Sequence, residues 1–257
     1  MNQPLDAHRQ PAYALRMDWG LTGAETISAG CDVAVVVDVL SFTTTLTVAA
    51  DRGVTVFPYP WRDDRAAQFA DDHDATLSVG RSQASARQVS LSPRSVRTAP
   101  SLQRLVLPSP NGSTITFLLA QKTSDVIGVS LRNRQAAADV LLARRAQNPA
   151  LRVAVIAAGE RWPDQSLRPA VEDLWGAGAL IDSLCTAGWP DISPEAHAAA
   201  GAFRAVADDL EPSLSRCASG QELIDIGYAD DVHTAAERDN SRSVPMLRGN
   251  AFTPARA

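Results

Sequence analysis

Three times in succession the chain runs from a short apolar stretch through a polar loop into a helical pattern, and this alternation limits its fold most. "RLVLP" (104–108) leads through "SPNGS" to "TITFLLAQ". "DVIGVS" (125–130) leads through "LRN" to "RQAAADVLLARRAQ", and "RVAVIAAG" (152–159) through "ERWPDQSLRP" to "AVEDLWGAGALIDSLCTAG". Earlier units have the same form. "DVAVVVDVL" (32–40) reads as a buried strand, followed by a helix over 43–50 that closes near Gly53. "VTVFPY" (54–59) predicts a strand before the amphipathic stretch 61–73, and "ATLSVG" (75–80) a further strand. Strands alternating with helices predict a mainly parallel sheet covered on both faces. The fold class is therefore α/β, in three layers (α/β/α), with a mixed sheet or two α/β lobes flanking the site as variants.

The chain of 257 residues reads as a single domain, 1–257, without internal repeats or a low-complexity linker. Residues 81–101 are polar, Ser-rich and aperiodic, which predicts a long loop. Toward the C-terminus Ser193 and Pro194 suit an N-cap and first helical residue. Ser219 and Glu222 have capping-box spacing, with Gly227 placed to end that helix.

A net charge of -5 and a pI near 5.4 argue against nucleic-acid binding, which rides on basic surfaces. Arginine supplies nearly all the positive charge, Lys122 being the one lysine. Cys31, Cys185 and Cys217 are odd in number, far apart and in no CxxC pair, so reduced thiols in a cytoplasmic protein are expected. The first residues lack the apolar core of a signal peptide, and no segment reaches the roughly 18 apolar residues of a membrane span. Self-association is left open.

In open parallel sheets, ligands bind beyond the carboxyl ends of the strands. Four loops have that position: 38–45, 109–114, 130–133 and 159–173. The first offers Asp38, Ser41, Thr43 and Thr44. The second offers Asn111, Gly112 and Ser113 at a helix amino end. The third supplies Ser130, Arg132 and Asn133, and the fourth Glu160, Arg161, Glu172 and Asp173. Helix amino ends, hydroxyls, Asn and Arg all suit a phosphate. Carboxylates repel a bare phosphate, so Asp38 with Glu172 or Asp173 makes better sense holding Mg²⁺, which bridges carboxylate to phosphate. Each piece also has a plainer use: threonines cap helices, "NGS" makes turns, and acidic residues favour helix dipoles. His8, His73, His197 and His233 stand singly outside these loops. GxGxxG, GxxxxGK[ST] and GxSxG are all absent.

The blocks "DWGLTGA", "VVVDVLSFTTTLTVA", "SPNGST", "VIGVSLRNRQAAA", "AAGER", "VEDLWGAGALI" and "ELIDIGYADDVHTAAERDNSRSVPML" together resemble the 2-phosphosulfolactate phosphatase family, in family order over nearly the whole chain. The resemblance implies a cytoplasmic α/β enzyme that hydrolyses a phosphate monoester with Mg²⁺. The family's substrate, 2-phosphosulfolactate, lies on the route to coenzyme M. Ser41 stands where many members carry Arg, "VGRSQ" replaces a Gly-Glu-Arg-like segment, and no Cys precedes Gly159.

The expected function is Mg²⁺-dependent release of phosphate from a small acidic phosphometabolite, 2-phosphosulfolactate first. Asp38, Glu160 and Arg161 are expected to carry the chemistry. Ser41, Thr43, Thr44, Asn111, Gly112, Ser113, Ser130, Arg132 and Asn133 are expected to bind the anion, and Asp38, Glu172 and Asp173 the metal. The nucleophile is not assigned. The rival readings are a phosphatase of another small phosphometabolite and a non-catalytic binder of anions.

Overall fold

The computed structural model describes residues 5–60, 65–85 and 88–256. The first half of the chain forms β1 (Leu15–Trp19), α1 (Gly20–Ile27), β2 (Val33–Val37), α2 (Phe42–Asp51), β3 (Thr55–Tyr59), α3 (Arg65–Asp72), β4 (Thr76–Leu77) and α4 (Pro93–Thr98). The central units follow as β5 (Arg104–Pro108), α5 (Gly112–Leu119), β6 (Asp125–Val129), α6 (Arg134–Gln147) and β7 (Val153–Ala157). Then come β8 (Glu160–Arg161), β9 (Leu167–Arg168), α7 (Val171–Thr186), α8 (Pro194–Arg204), α9 (Leu210–Arg216), α10 (Ala218–Asp225) and α11 (Ala229–Ala236). The hairpin β10 (Ser243–Arg248) and β11 (Ala251–Arg256) completes the order.

The main sheet has the order β1-β7-β2-β6-β10-β11-β3-β5-β4. Two parallel groups, β1-β7-β2-β6 and β3-β5-β4, flank the antiparallel β10–β11 hairpin. The hairpin joins each group at one bridged pair, Met246 with Ile127 and Phe252 with Val56. The fold is thus α/β with a mixed sheet.

All five residues of β2 and all five of β7 are buried, as continuous apolar runs require when both sheet faces are covered. Side-chain alternation sends Val33, Val35 and Val37 into a layer with α6, α7 and α8. Ala34 and Val36 turn into the opposite layer with α1, α2 and α5. Each such valine contributes roughly 1.5–3 kcal/mol by leaving water.

Several expectations need correction. Residues 81–101 are not a continuous loop, because a 3₁₀ turn (Arg81–Gln83) and α4 interrupt them. Pro93 at the first helical position sets the start of α4. Ser193 does cap α8, accepting from the Ala196 N–H at 3.2 Å, but the helical stretch expected over 193–210 ends at Arg204. α10 begins one residue before the expected cap: Cys217, not Ser219, precedes it, and its Sγ accepts from the Gly220 N–H. The amphipathic stretch 61–73 appears as α3 from Arg65, its first four residues lying outside the described ones. The three cysteines are free thiols. No helix among the described residues is long and apolar enough to cross a membrane.

Candidate active site at the junction of two strand groups

The carboxyl ends of β2, β5 and β7 converge on a cavity of about 440 Å³, lined by Asp38, Ser41, Arg81, Ser109, Asn111 and Glu160 among others. Residues that follow strands of both parallel groups contribute, so the site draws on the two groups together.

Asp38 organises the convergence. One carboxylate oxygen accepts from the Phe42 N–H, the first of α2, at 3.0 Å. The other accepts from the Gly112 N–H, the first of α5, also at 3.0 Å. A carboxylate therefore occupies the partly positive amino ends of two helices, the position that sequence logic assigns to a phosphate. Burial pushes the Asp38 carboxyl up to about 6, and Glu172 adds to the rise, while the two N–H groups and Arg81 oppose it. The contact demands glycine at position 112. A Cβ there would come within 2.3 Å of Phe42 Cδ1 and 2.8 Å of Asp38 Oδ2.

Asp173 ties the loops after β2 and β7 together. Its oxygens accept from the Val39 N–H at 2.7 Å and from the Gly159 N–H at 2.8 Å. Gly159 takes φ +67°, a left-handed turn that suits glycine. Burial, then the charges of Asp38 and Glu172, raise the Asp173 carboxyl well above the usual range. Glu160 is raised to about 7, first by burial and then by Asp38 and Glu172. Asn111 Nδ2 donates to Glu160 Oε2 at 3.0 Å, and Arg161 Nε donates to Asn111 Oδ1 at 3.3 Å. Arg161 thus orients Asn111, which orients Glu160. Glu172 is buried beside the Cys217 thiol, whose Sγ donates to Oε2 at 3.5 Å.

The other expected anion binders have different employment. Thr43 and Thr44 are fully buried and donate to the carbonyls of Asp38 and Val39, folding α2 back onto the strand end. The Ser113 hydroxyl donates to the Leu107 carbonyl. Ser130 and Asn133 form a capping box, and the Asn133 amide donates to the carbonyls of Gly128 and Ser243. Arg132, 4% exposed, pairs with Asp51 and Glu237 and donates to Thr47. None of these side chains lines the cavity. Main-chain carbonyls take the donors of Thr43, Thr44, Ser113 and Asn133, two carboxylates take the Arg132 guanidinium, and the Ser130 hydroxyl accepts from a backbone N–H, because leaving such buried groups unpaired would cost about 1–3 kcal/mol each.

Arg81, one of three arginines (with Arg132 and Arg161) that the sequence offers in place of the Arg absent at position 41, is the one of them that lines the cavity. It lies in the polar stretch without periodicity, and its partner Asp231 is 150 residues away.

The donor set suits a hard divalent cation. Asp38, Glu160 and Glu172 offer only oxygen, and their mutual repulsion is the kind of strain a cation relieves. Asp38 keeps lone pairs beyond the two that its N–H partners use. Among the described residues no three His, Cys, Asp or Glu side chains come together as a set that could hold a metal ion.

Comparison with known proteins gives one consistent result. The sequence model of the family described as "2-phosphosulpholactate phosphatase" matches residues 23–250. A Thermus thermophilus protein named "Probable 2-phosphosulfolactate phosphatase" is 32% identical, over 85% of this chain and 89% of its own length. Proteins of the same name from Synechococcus sp. (31% identical; 84% and 87%) and Deinococcus radiodurans (26%; 88% and 92%) align over similar spans. A family match over nearly the whole chain, with the strand-end carboxylates and the "NGS" loop inside it, places the chain in the 2-phosphosulfolactate phosphatase family.

Proposed function

We propose that this protein is a cytoplasmic, Mg²⁺-dependent phosphatase that hydrolyses 2-phosphosulfolactate to sulfolactate and phosphate. Family membership supports the phosphatase activity and the substrate. The observation that carries the chemical reading is the meeting of Asp38, Glu160 and Asn111 at one cavity, with a carboxylate seated on two helix amino ends.

Asp38 and Glu172 are the residues that would hold the metal. Asp173, whose oxygens accept from the Val39 and Gly159 N–H groups, is the alternative to Glu172 and also clamps the two loops. Bound there, Mg²⁺ supplies charge that polarises the phosphoryl oxygens. Glu160, raised to about 7, is divided between its protonated and ionised forms near neutral pH, so it can give a proton to the leaving oxygen of the ester or take one from water. Asn111 fixes the oxygen that does so, and Arg161 fixes Asn111. The apolar walls from Leu40, Pro60 and Leu91 restrict water around the reacting group. Attack by the Asp38 carboxylate itself is the competing route, and hydroxylamine trapping of an acyl phosphate separates the two.

The test is phosphate release by the purified protein with Mg²⁺ from 2-phosphosulfolactate and a panel of other phosphate monoesters. The sulfonated ester should lead, and Asp38→Asn should lower its turnover at least 100-fold. Undiminished turnover in that variant removes Asp38 from the chemistry. Faster release from another ester renames the substrate, and tight binding without release makes the protein a binder.

A further inference from the structure

Among the described residues Arg81 is the one cation lining the cavity, and it is held with unusual care for a residue outside any long helix or strand. Its Nε donates to Asp231 Oδ2 at 3.1 Å, and its Nη2 donates to the Ser41 hydroxyl. The guanidinium lies over the Tyr228 ring, 5.6 Å from the centroid, and the Tyr228 hydroxyl donates to the Arg81 carbonyl at 2.7 Å. Asp231 is 1% exposed and takes a second bond from the Ser92 hydroxyl, so the anchor is itself anchored. The Arg81 side chain is 16% exposed. Among the described residues its Nη1 makes no hydrogen bond, which leaves forked donors at the cavity wall. Asp231 offsets the net charge, so what Arg81 offers is directional N–H groups in a fixed plane.

We propose that Arg81 grips the acidic group of the substrate that is not hydrolysed, a carboxylate or sulfonate, and so determines specificity for doubly acidic phosphate esters. The inference rests on the phosphatase reading, which assigns the phosphoryl group to the Asp38 and Glu160 end of the cavity. Those carboxylates repel a second anion, and Arg81 is the cavity residue able to receive one. Ser41 takes part as the acceptor that keeps Nη2 in place. Tyr228 and Asp231 of the α10–α11 segment act through Arg81 and are positioning residues.

The experiment compares kcat/KM for phosphate release from 2-phosphosulfolactate with that from p-nitrophenyl phosphate, which has no second acid. A charge-assisted contact predicts that Arg81→Gln lowers the ratio of the two about 10- to 100-fold, mainly through KM on the acidic ester. A ratio lowered by less than threefold overturns the assignment, as does equal loss on both esters, which would place Arg81 on the phosphate or in a structural role. Arg81→Lys repeats the measurement should the Gln variant not fold. If the native protein releases phosphate from neither ester, the phosphatase reading falls and calorimetric titration decides Arg81 separately. In that case Arg81→Gln must weaken sulfolactate binding about tenfold relative to inorganic phosphate. Equal weakening, or no sulfolactate binding by the native protein, overturns the proposal.

Discussion

Gly112→Ala adds one methyl group at the most crowded point of the site. The new Cβ would lie 2.3 and 2.7 Å from Phe42 Cδ1 and Cγ and 2.8 Å from Asp38 Oδ2. Unstrained carbon contacts sit near 3.5–4.0 Å, so more than 1 Å must be made up. Phe42 cannot yield cheaply: it is fully buried and packed edge-on against Phe252, ring centroids 6.3 Å apart. The amino end of α5 must therefore retreat from Asp38, stretching the Gly112 N–H to carboxylate bond. Overpacking costs about 1–3 kcal/mol, and loss of a hydrogen bond to a charged group roughly 1.5–3 kcal/mol. The helix propensity of alanine returns at most about 1 kcal/mol. A net loss of about 2–4 kcal/mol should lower Tm by roughly 4–15 °C for a domain of this size. Displacement of Asp38 by even about 1 Å should cost around 100-fold in kcat/KM. The assay pairs a thermal melt with phosphate-release kinetics. Gly201→Ala is the control, because a Cβ there meets nothing within 4 Å and should leave activity intact while holding or raising Tm. Native Tm and native kcat/KM in Gly112→Ala would refute the claim that Asp38 is set by close approach of α5.

Asp173→Ala orphans the Val39 and Gly159 N–H groups at once, whereas Asp173→Asn keeps an acceptor for one. The two variants relieve the same charge repulsion, so their Tm difference isolates the hydrogen bond. Alanine should melt several degrees lower, at about 1–3 kcal/mol per orphaned group, and equal melting temperatures would discard the clamp. The metal-free protein should lose stability as pH rises. Glu160 and Asp38 are raised to about 7 and about 6, so the folded state holds protons that the unfolded chain releases near pH 4. That stability is complete below about pH 4 and is lost as pH climbs through 6 to 7. Melts in EDTA should therefore show a lower Tm at pH 8 than at pH 5.5, with added Mg²⁺ raising Tm more at pH 8. A flat profile with no Mg²⁺ effect would remove the carboxylates from metal binding.

What could be read from the sequence depended on how local each signal was. β2, β5, β6 and β7 are apolar runs buried on both faces, and each stood out on its own. β1 escaped because Arg16 and Asp18 interrupt it. Arg16 is nonetheless buried, its guanidinium spent on the carbonyls of Tyr13, Ile27 and Ala29. The β10–β11 hairpin escaped because Pro245 and Pro254 demote a strand reading, yet these prolines face each other across the hairpin. At the site, Asp38, Asn111 and Glu160 follow strands directly, and topology brings them together. Ser130, Arg132 and Asn133 follow a strand as well, but a capping box and the ion pairs of the buried Arg132 absorb them. Arg81 depends on Asp231 and Tyr228, and no local pattern encodes a pairing across 150 residues.

The placement of Asp38 changes what the site asks of its ligand. Helix amino ends usually receive a phosphate directly, but here the first N–H groups of α2 and α5 are already spent on a carboxylate. A phosphate dianion arriving beside Asp38 and Glu160 would meet repulsion rather than a cradle. At about 6 Å and an effective dielectric near 20, each pair of unit charges costs roughly 3 kcal/mol. Protonation of Glu160 removes part of that cost, and the fork of Arg81 removes more for a substrate with a second acid. On the metal-dependent reading, the balance left at Asp38 and Glu172 is what a divalent cation would neutralise, and it would bind tightly only with the phosphate present to complete its oxygen shell. Metal and substrate should therefore bind with positive coupling: saturating 2-phosphosulfolactate should lower the Mg²⁺ concentration for half-maximal activity. Mg²⁺ affinity independent of ester concentration would show that the carboxylates neither hold the ion nor present it to phosphate.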